Sequence, residues 1–206
     1  MVENINNMIL DIIGLYRCNY LTGFHVRQMA QLIGKSHVSL LPHLKELEEN
    51  KILVSKYVGK SRVYSLNLGN SHAREFLSFS EKKKSLWFLD KEVFIKKIHD
   101  ESIGFGLAGC LILFGSYASG TNSDSSDIDL LYLGDIAEGD KKKIKNLGKT
   151  YHQEIHLVSM DLKEFRDQLL KSGALAKEVI NNHIILYNHD IFINELLRYY
   201  NGKKEG

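Results

Sequence analysis

Asp127 and Asp129 stand two positions apart in a run that continues Ile128–Leu133, and a Gly115-Ser116 pair lies ten residues upstream, at the end of another apolar run. Residues i and i+2 of a strand point to one face of a sheet. Both carboxylates would therefore project together, toward whatever the Gly-Ser turn holds. Hard oxygen ligands of this kind suit Mg²⁺, which takes one or two carboxylates and fills its shell with phosphate oxygens and water. Gly115 lets a backbone approach a phosphate closely. Ser116 adds a hydroxyl and an N–H at the start of a helix, where phosphate binds readily. The bland alternative is a solvated loop, Ser123-Asp124-Ser125-Ser126, entering a strand.

The surrounding pattern has to position these groups. After Gly104 the chain alternates strand and helix: strands at 109–114, 128–133, 153–158 and 183–187, and helices at 140–147, 162–170, 175–180 and 191–200. Asp161 is placed to cap the helix that starts at Leu162. The front of the chain reads differently. Helical periodicity covers 3–17, then 25–33, then a third helix to about Asn50, followed by two strand-like runs at 52–57 and 62–66 around Gly59. That order is the order of a winged helix-turn-helix. Pro42 tests it, because an interior proline costs a helix about 3 kcal/mol. A cap at Ser39 would put Pro42 in the first turn; a cap at Ser36 would require a kink. The later start is expected. Between the two parts, 71–101 reads as two helices with Lys82–Lys84 as a solvated turn. Leu77, Phe79, Leu86, Phe88 and Leu89 are expected to make apolar contacts, and Val93, Phe94, Ile95 and Ile98 to give the second helix its buried side. The expected organisation is α+β: a winged helix-turn-helix over 1–70, a helical connector over 71–104, and a small mixed-sheet domain over 105–206.

The chain has 206 residues, of which 44% are hydrophobic and 25% charged, in the ordinary range of soluble domains. No apolar stretch reaches the roughly 20 residues of a membrane span, and the N-terminal MVENINNMILDII lacks signal-peptide features. Cys18 and Cys110 are far apart and outside any metal spacing, as in a reducing cytoplasm. Residues 1–70 carry eight basic against five acidic side chains, whereas 105–206 carry twelve against fourteen. A mildly basic front end is compatible with nucleic acid.

The Gly-Ser pair, ten residues and Asp-x-Asp resemble the signature of nucleotidyltransferases of the DNA polymerase β superfamily, and the short C-terminal part is similar to their minimal prokaryotic members. The segment HVRQMAQLIGKSHVSLLPHLKELEENKILVSKYVGKSRVYSLN resembles the winged helix of ArsR- and MarR-type regulators. Together they look like archaeal proteins that join the two. The resemblance implies a nucleotidyltransferase fold, Mg²⁺ as cofactor and an NTP, ATP first, as substrate. It implies that Asp127 and Asp129 hold metal, and that Gly115, Ser116 and Ser126 hold the nucleotide, Gly115 and Ser116 at the triphosphate tail. Two positions depart from the family pattern. Ser119 stands where an arginine is common, and serine cannot replace a bidentate phosphate contact. His156 stands where a third carboxylate is usual. Glu154, two residues earlier on the same strand face, is the candidate replacement and the third catalytic residue.

For the front end, Ser36, His37, Ser39, His43 and Lys45 would lie on or near the recognition helix, and Lys56, Lys60 and Arg62 in the wing. These would contact double-stranded DNA through phosphates and a few bases. Glu46, Glu48 and Glu49 oppose that role. Helix 3–17 is a candidate surface for a homodimer. Three functions stay open: a nucleotidyltransferase whose acceptor is a small molecule, an RNA end or a protein, such as a HEPN-type toxin partner; a transcription regulator that binds nucleotide without chemistry; and a partner-binding module.

Overall fold

The computed structural model describes residues 6–123, 126–150 and 152–205. They form two compact units, one of residues up to 80 together with those from 200 onward, the other of 81–199. The class is mixed α+β, with two sheets and ten helices among the described residues. No helix among those residues is long and apolar enough to cross a membrane.

In the first unit, α1 (Asn7–Gly14) starts at Asn6, whose side chain accepts from Met8 N at 2.9 Å. It ends three residues before the expected Arg17, because tighter turns such as Tyr16 N to Ile13 O take over. The expected start at Glu3 lies outside the described residues. A short strand unseen in the sequence, β1 (Gly23–His25), leads into α2 (Val26–Ile33). His25 caps α2 by accepting from Gln28 N, and Gly34 closes it at φ +71°. α3 (His37–Glu49) is capped by Ser36, whose Oγ accepts from Ser39 N at 3.2 Å. The expected cap at Ser39 is corrected: Ser39 instead donates its hydroxyl back to Ser36 O. Pro42 therefore sits inside α3 and leaves the Val38 carbonyl without its usual donor. Val38 and Pro42 are both exposed, so water is within reach of that carbonyl. β2 (Leu53–Val58) and β3 (Ser61–Leu66) form an antiparallel hairpin, and the sheet order is β1-β3-β2. Ile12, Ile13, Tyr16, Met29, Leu40, Leu44 and Leu53 are fully buried.

α4 (Ser71–Leu89) runs without a break through Lys82–Lys84, which corrects the expected turn there. No glycine or proline interrupts it, and lysine is a good helix former. The turn falls at 90–92, before α5 (Val93–Gly104). Leu86 and Val93, expected inside, are 64% and 65% exposed.

The second unit continues with β4 (Cys110–Phe114), α6 (Gly115–Ser119), β5 (Ile128–Leu133) and α7 (Glu138–Thr150). Then come β6 (Ile155–Met160), α8 (Leu162–Leu170), α9 (Ala174–Asn181), β7 (Ile184–Tyr187) and α10 (His189–Glu205). Asp161 caps α8 with a full capping box. The sheet order is β6-β5-β4-β7; only β5 and β6 are parallel. Leu111, Leu113, Ile128, Leu130 and Tyr132 pack with Ile95, Ile98, Ile144 and Leu147 of α5 and α7. Strand alternation turns Asp129 to the opposite face.

Candidate active site

All five residues of β4 are buried, and the strand ends at the foot of a tight turn. Gly115 opens α6 at φ +68°. A Cβ on Gly115 would collide with the Asp129 carboxylate and stand 3.1 Å from its Cγ. The position thus requires glycine twice, for its backbone angle and for the approach of Asp129. The β4–β5 register explains the meeting, because Phe114 pairs directly with Asp129. The Gly-Ser turn and the Asp-x-Asp strand do converge. Ser116, half-buried, is the second residue of α6, and its carbonyl accepts from Thr121 N and from the Ser119 hydroxyl, each at 3.0 Å. Ser119 is folded back on its own helix in this way.

Asp127 is exposed and immediately precedes β5. Burial pushes the Asp129 carboxyl above its usual range, His156 pulls it down, and the Asp127 charge pushes it up again. The two carboxylates therefore feel each other. That repulsion, on a donor set of hard oxygens beside a glycine with no side chain, fits a divalent cation. Ser126 folds locally: its hydroxyl accepts from Ser123 N at 2.8 Å. Asp124 and Ser125, the middle of the Ser123–Ser126 loop, lie outside the described residues.

β6 brings His156 alongside. It pairs with Asp129 in the parallel register, and its Nδ1 lies 3.8 Å from Asp129 Oδ1. Glu154 falls just before β6, which starts two residues later than expected. Its carbonyl accepts from Ile128 N at 2.9 Å, so its backbone extends the β5–β6 pairing while its side chain is exposed. Among the described residues no three His, Cys, Asp or Glu side chains gather to hold a metal. The charge of Asp127 reaches Asp129, and Glu154 makes no cluster of three with them.

Residues 108–192 match the family model described as Polymerase beta, Nucleotidyltransferase. The second unit carries a nucleotidyltransferase domain. The match begins just before β4 and ends in the first turn of α10, so it takes in Gly115, Asp127, Asp129 and His156. One solved structure similar to the chain is described as "Crystal structure of the toxin-antitoxin with AMP-PNP". The identity is 21% and the TM-score 0.37, over 55% of this chain and 90% of that one. No curated protein matches the chain.

The front-end candidates are less uniform. Ser36 and Ser39 spend their hydroxyls on the α3 cap. His37, Lys56 and Lys60 are exposed, and His43 is half-buried. Arg62 is engaged: its Nη2 donates to Glu48 Oε1 and Oε2 at 2.6 and 2.7 Å, and its Nε donates to Ser55 Oγ at 2.8 Å. The sequence marks Glu48 as an acid opposed to a phosphate contact, but not as the partner of Arg62.

Proposed function

We propose that the chain is a Mg²⁺-dependent nucleotidyltransferase that moves a nucleoside monophosphate from an NTP, ATP first, to an acceptor hydroxyl. The observation that carries this reading is the seating of the Asp129 carboxylate against Gly115, with Asp127 close enough to perturb it. Asp127 and Asp129 would hold the metal, which when bound neutralises triphosphate charge and polarises the reacting phosphoryl group. Gly115 and Ser116 would receive the phosphate tail at the start of α6, with Ser126 beside them. In the transfer, the acceptor oxygen bonds to the α-phosphorus, the bond to pyrophosphate breaks, and the acceptor proton passes to a base. Glu154, exposed just before β6 and apart from the Asp127/Asp129 pair, would have to reach the bound acceptor to take that proton. The acceptor is a protein hydroxyl, such as that of a HEPN-type toxin partner, a small molecule or an RNA end.

The first unit is read as a winged helix-turn-helix on double-stranded DNA. Support comes from the order α1, α2, α3 and the antiparallel hairpin β2–β3. Arg62 serves that unit by holding the wing to α3, which leaves Lys56 and Lys60 to meet phosphates.

A second reading is a regulator that binds nucleotide without chemistry. Ser119 and His156, at the two family positions of arginine and carboxylate, favour it. One experiment separates the two. Purified protein is incubated with Mg²⁺ and ATP labelled at the α-phosphate, alone and with co-purifying partners. Transfer of label, abolished by Asp129→Asn, establishes the enzyme. Retained nucleotide binding without transfer establishes the regulator.

A further inference from the structure

The chain's single tryptophan, Trp87, is 51% exposed on the last turn of α4. Two cations cover its ring: Lys84 Nζ lies 4.7 Å and Lys91 Nζ 3.7 Å from the centroid. Leu86 beside it is 64% exposed. Residues 82–97 hold six lysines against Asp90 and Glu92. Asp90 reaches across to Lys96 of α5 at 3.7 Å, which ties the turn after Trp87 to α5. A cation–π contact at an exposed site is worth only about 0.5–1 kcal/mol, and leaves half an indole in water. The nucleotide site uses none of these residues.

The surface calls for a ligand that is both anionic and planar. An acidic peptide would answer the lysines and leave the ring idle. A lipid surface would need a broad apolar face, which Asp90, Lys91 and Lys96 interrupt. A phosphodiester strand with unpaired bases meets both demands, because its phosphates take the ammonium groups and its bases stack on the ring. We infer that the end of α4 binds single-stranded nucleic acid, with a base stacked on Trp87 where Lys84 or Lys91 now lies.

The test uses the full chain and an oligothymidylate, followed by indole emission and by the anisotropy of a fluorescein-labelled copy. Saturable quenching of the emission is expected, with affinity that falls as salt rises. Trp87→Leu should weaken binding about tenfold or more, and Trp87→Tyr should restore most of it. Lys84→Gln with Lys91→Gln should flatten the salt dependence by about 0.7 in log–log slope per lysine. Polyglutamate or anionic phosphatidylglycerol vesicles that quench as strongly as the oligonucleotide would overturn the inference. So would an absence of quenching, or wild-type affinity in Trp87→Leu. Trp87 is exposed, so its replacement leaves the core intact. Duplex bound by the first unit would raise anisotropy without moving the indole emission, and loss of nucleotidyl transfer would leave this titration unchanged.

Discussion

Gly115 carries the site because it has nothing to place between the backbone and Asp129. Gly115→Ala would put a methyl group into that carboxylate and hold an L-residue at φ +68°, a conformation that costs about 1–2 kcal/mol for alanine. The expected outcome is a lower Tm together with loss of nucleotide binding in a titration with ATP and Mg²⁺. Unchanged nucleotide affinity would separate Gly115 from the site. At this scale the sequence was informative. The spacing of Gly115, Asp127 and Asp129 is a local pattern, although only Asp129 lies within β5 and Asp127 immediately precedes it. Which side chain stands beside Asp129 was legible only as a choice. The β5–β6 register brings His156 to it, and register depends on how two distant segments pair.

α3 and the hairpin show what an element can hide. Pro42 sits inside α3 because Ser36 makes the cap and Leu40, Leu44 and Leu47 bury one face of a longer helix. Burial of that stripe outweighs one missing hydrogen bond on the exposed side. The hairpin itself was readable from Gly59 and its flanking β-branched and aromatic residues. The Arg62–Glu48 pair was not, since fourteen residues separate the partners. The two kinds of hairpin cation should behave differently. Lys56→Gln with Lys60→Gln should weaken DNA binding and reduce its salt slope, with an unchanged Tm. Arg62→Ala should instead destabilise the first unit by about 0.5–1 kcal/mol, as for an exposed ion pair with a further hydrogen bond to Ser55. Thermal melts and a salt series of DNA titrations check both. A normal salt slope in the lysine double variant would remove those residues from the interface.

Across the whole molecule, distant stretches of chain complete each unit. Tyr200, near the C-terminal end, stacks on Tyr20 at 5.1 Å and donates to Cys18 O at 3.2 Å within the first unit. In the second unit α4 supplies buried polar groups. Glu81 faces His183 Nε2 at 3.1 Å, and Ser85 donates to Ile185 O at 2.6 Å. With its proton spent there, Ser85 Oγ must accept from His189 Nε2, 3.2 Å away. Burial disfavours the charged ring of His189 and lowers its pKa from 6.5 to about 4, against the upward pull of Glu81 and Asp190. The unfolded chain takes up this proton near 6.5 while the folded chain refuses it until about 4. Stability is then full above about 6.5 and falls as pH drops toward 4, where the loss levels off. His189→Gln keeps a donor for Ser85 and cannot titrate. Its Tm should fall less than that of the wild type over this interval; parallel curves would place the titration elsewhere.

Sequence alone determined the α+β class, the order of most elements and the spacing of two carboxylates ten residues after a Gly-Ser pair. These follow from periodicity, turn residues and spacing, which act over a few neighbouring positions. Tertiary structure alone decided that Asp129 closes on Gly115, that His156 rather than Glu154 stands beside it, and that Arg62 is bound to Glu48. It also decided that Leu86, Trp87 and Val93 face outward. Such outcomes depend on which segments pack against which, and no local pattern in the chain encodes the partner.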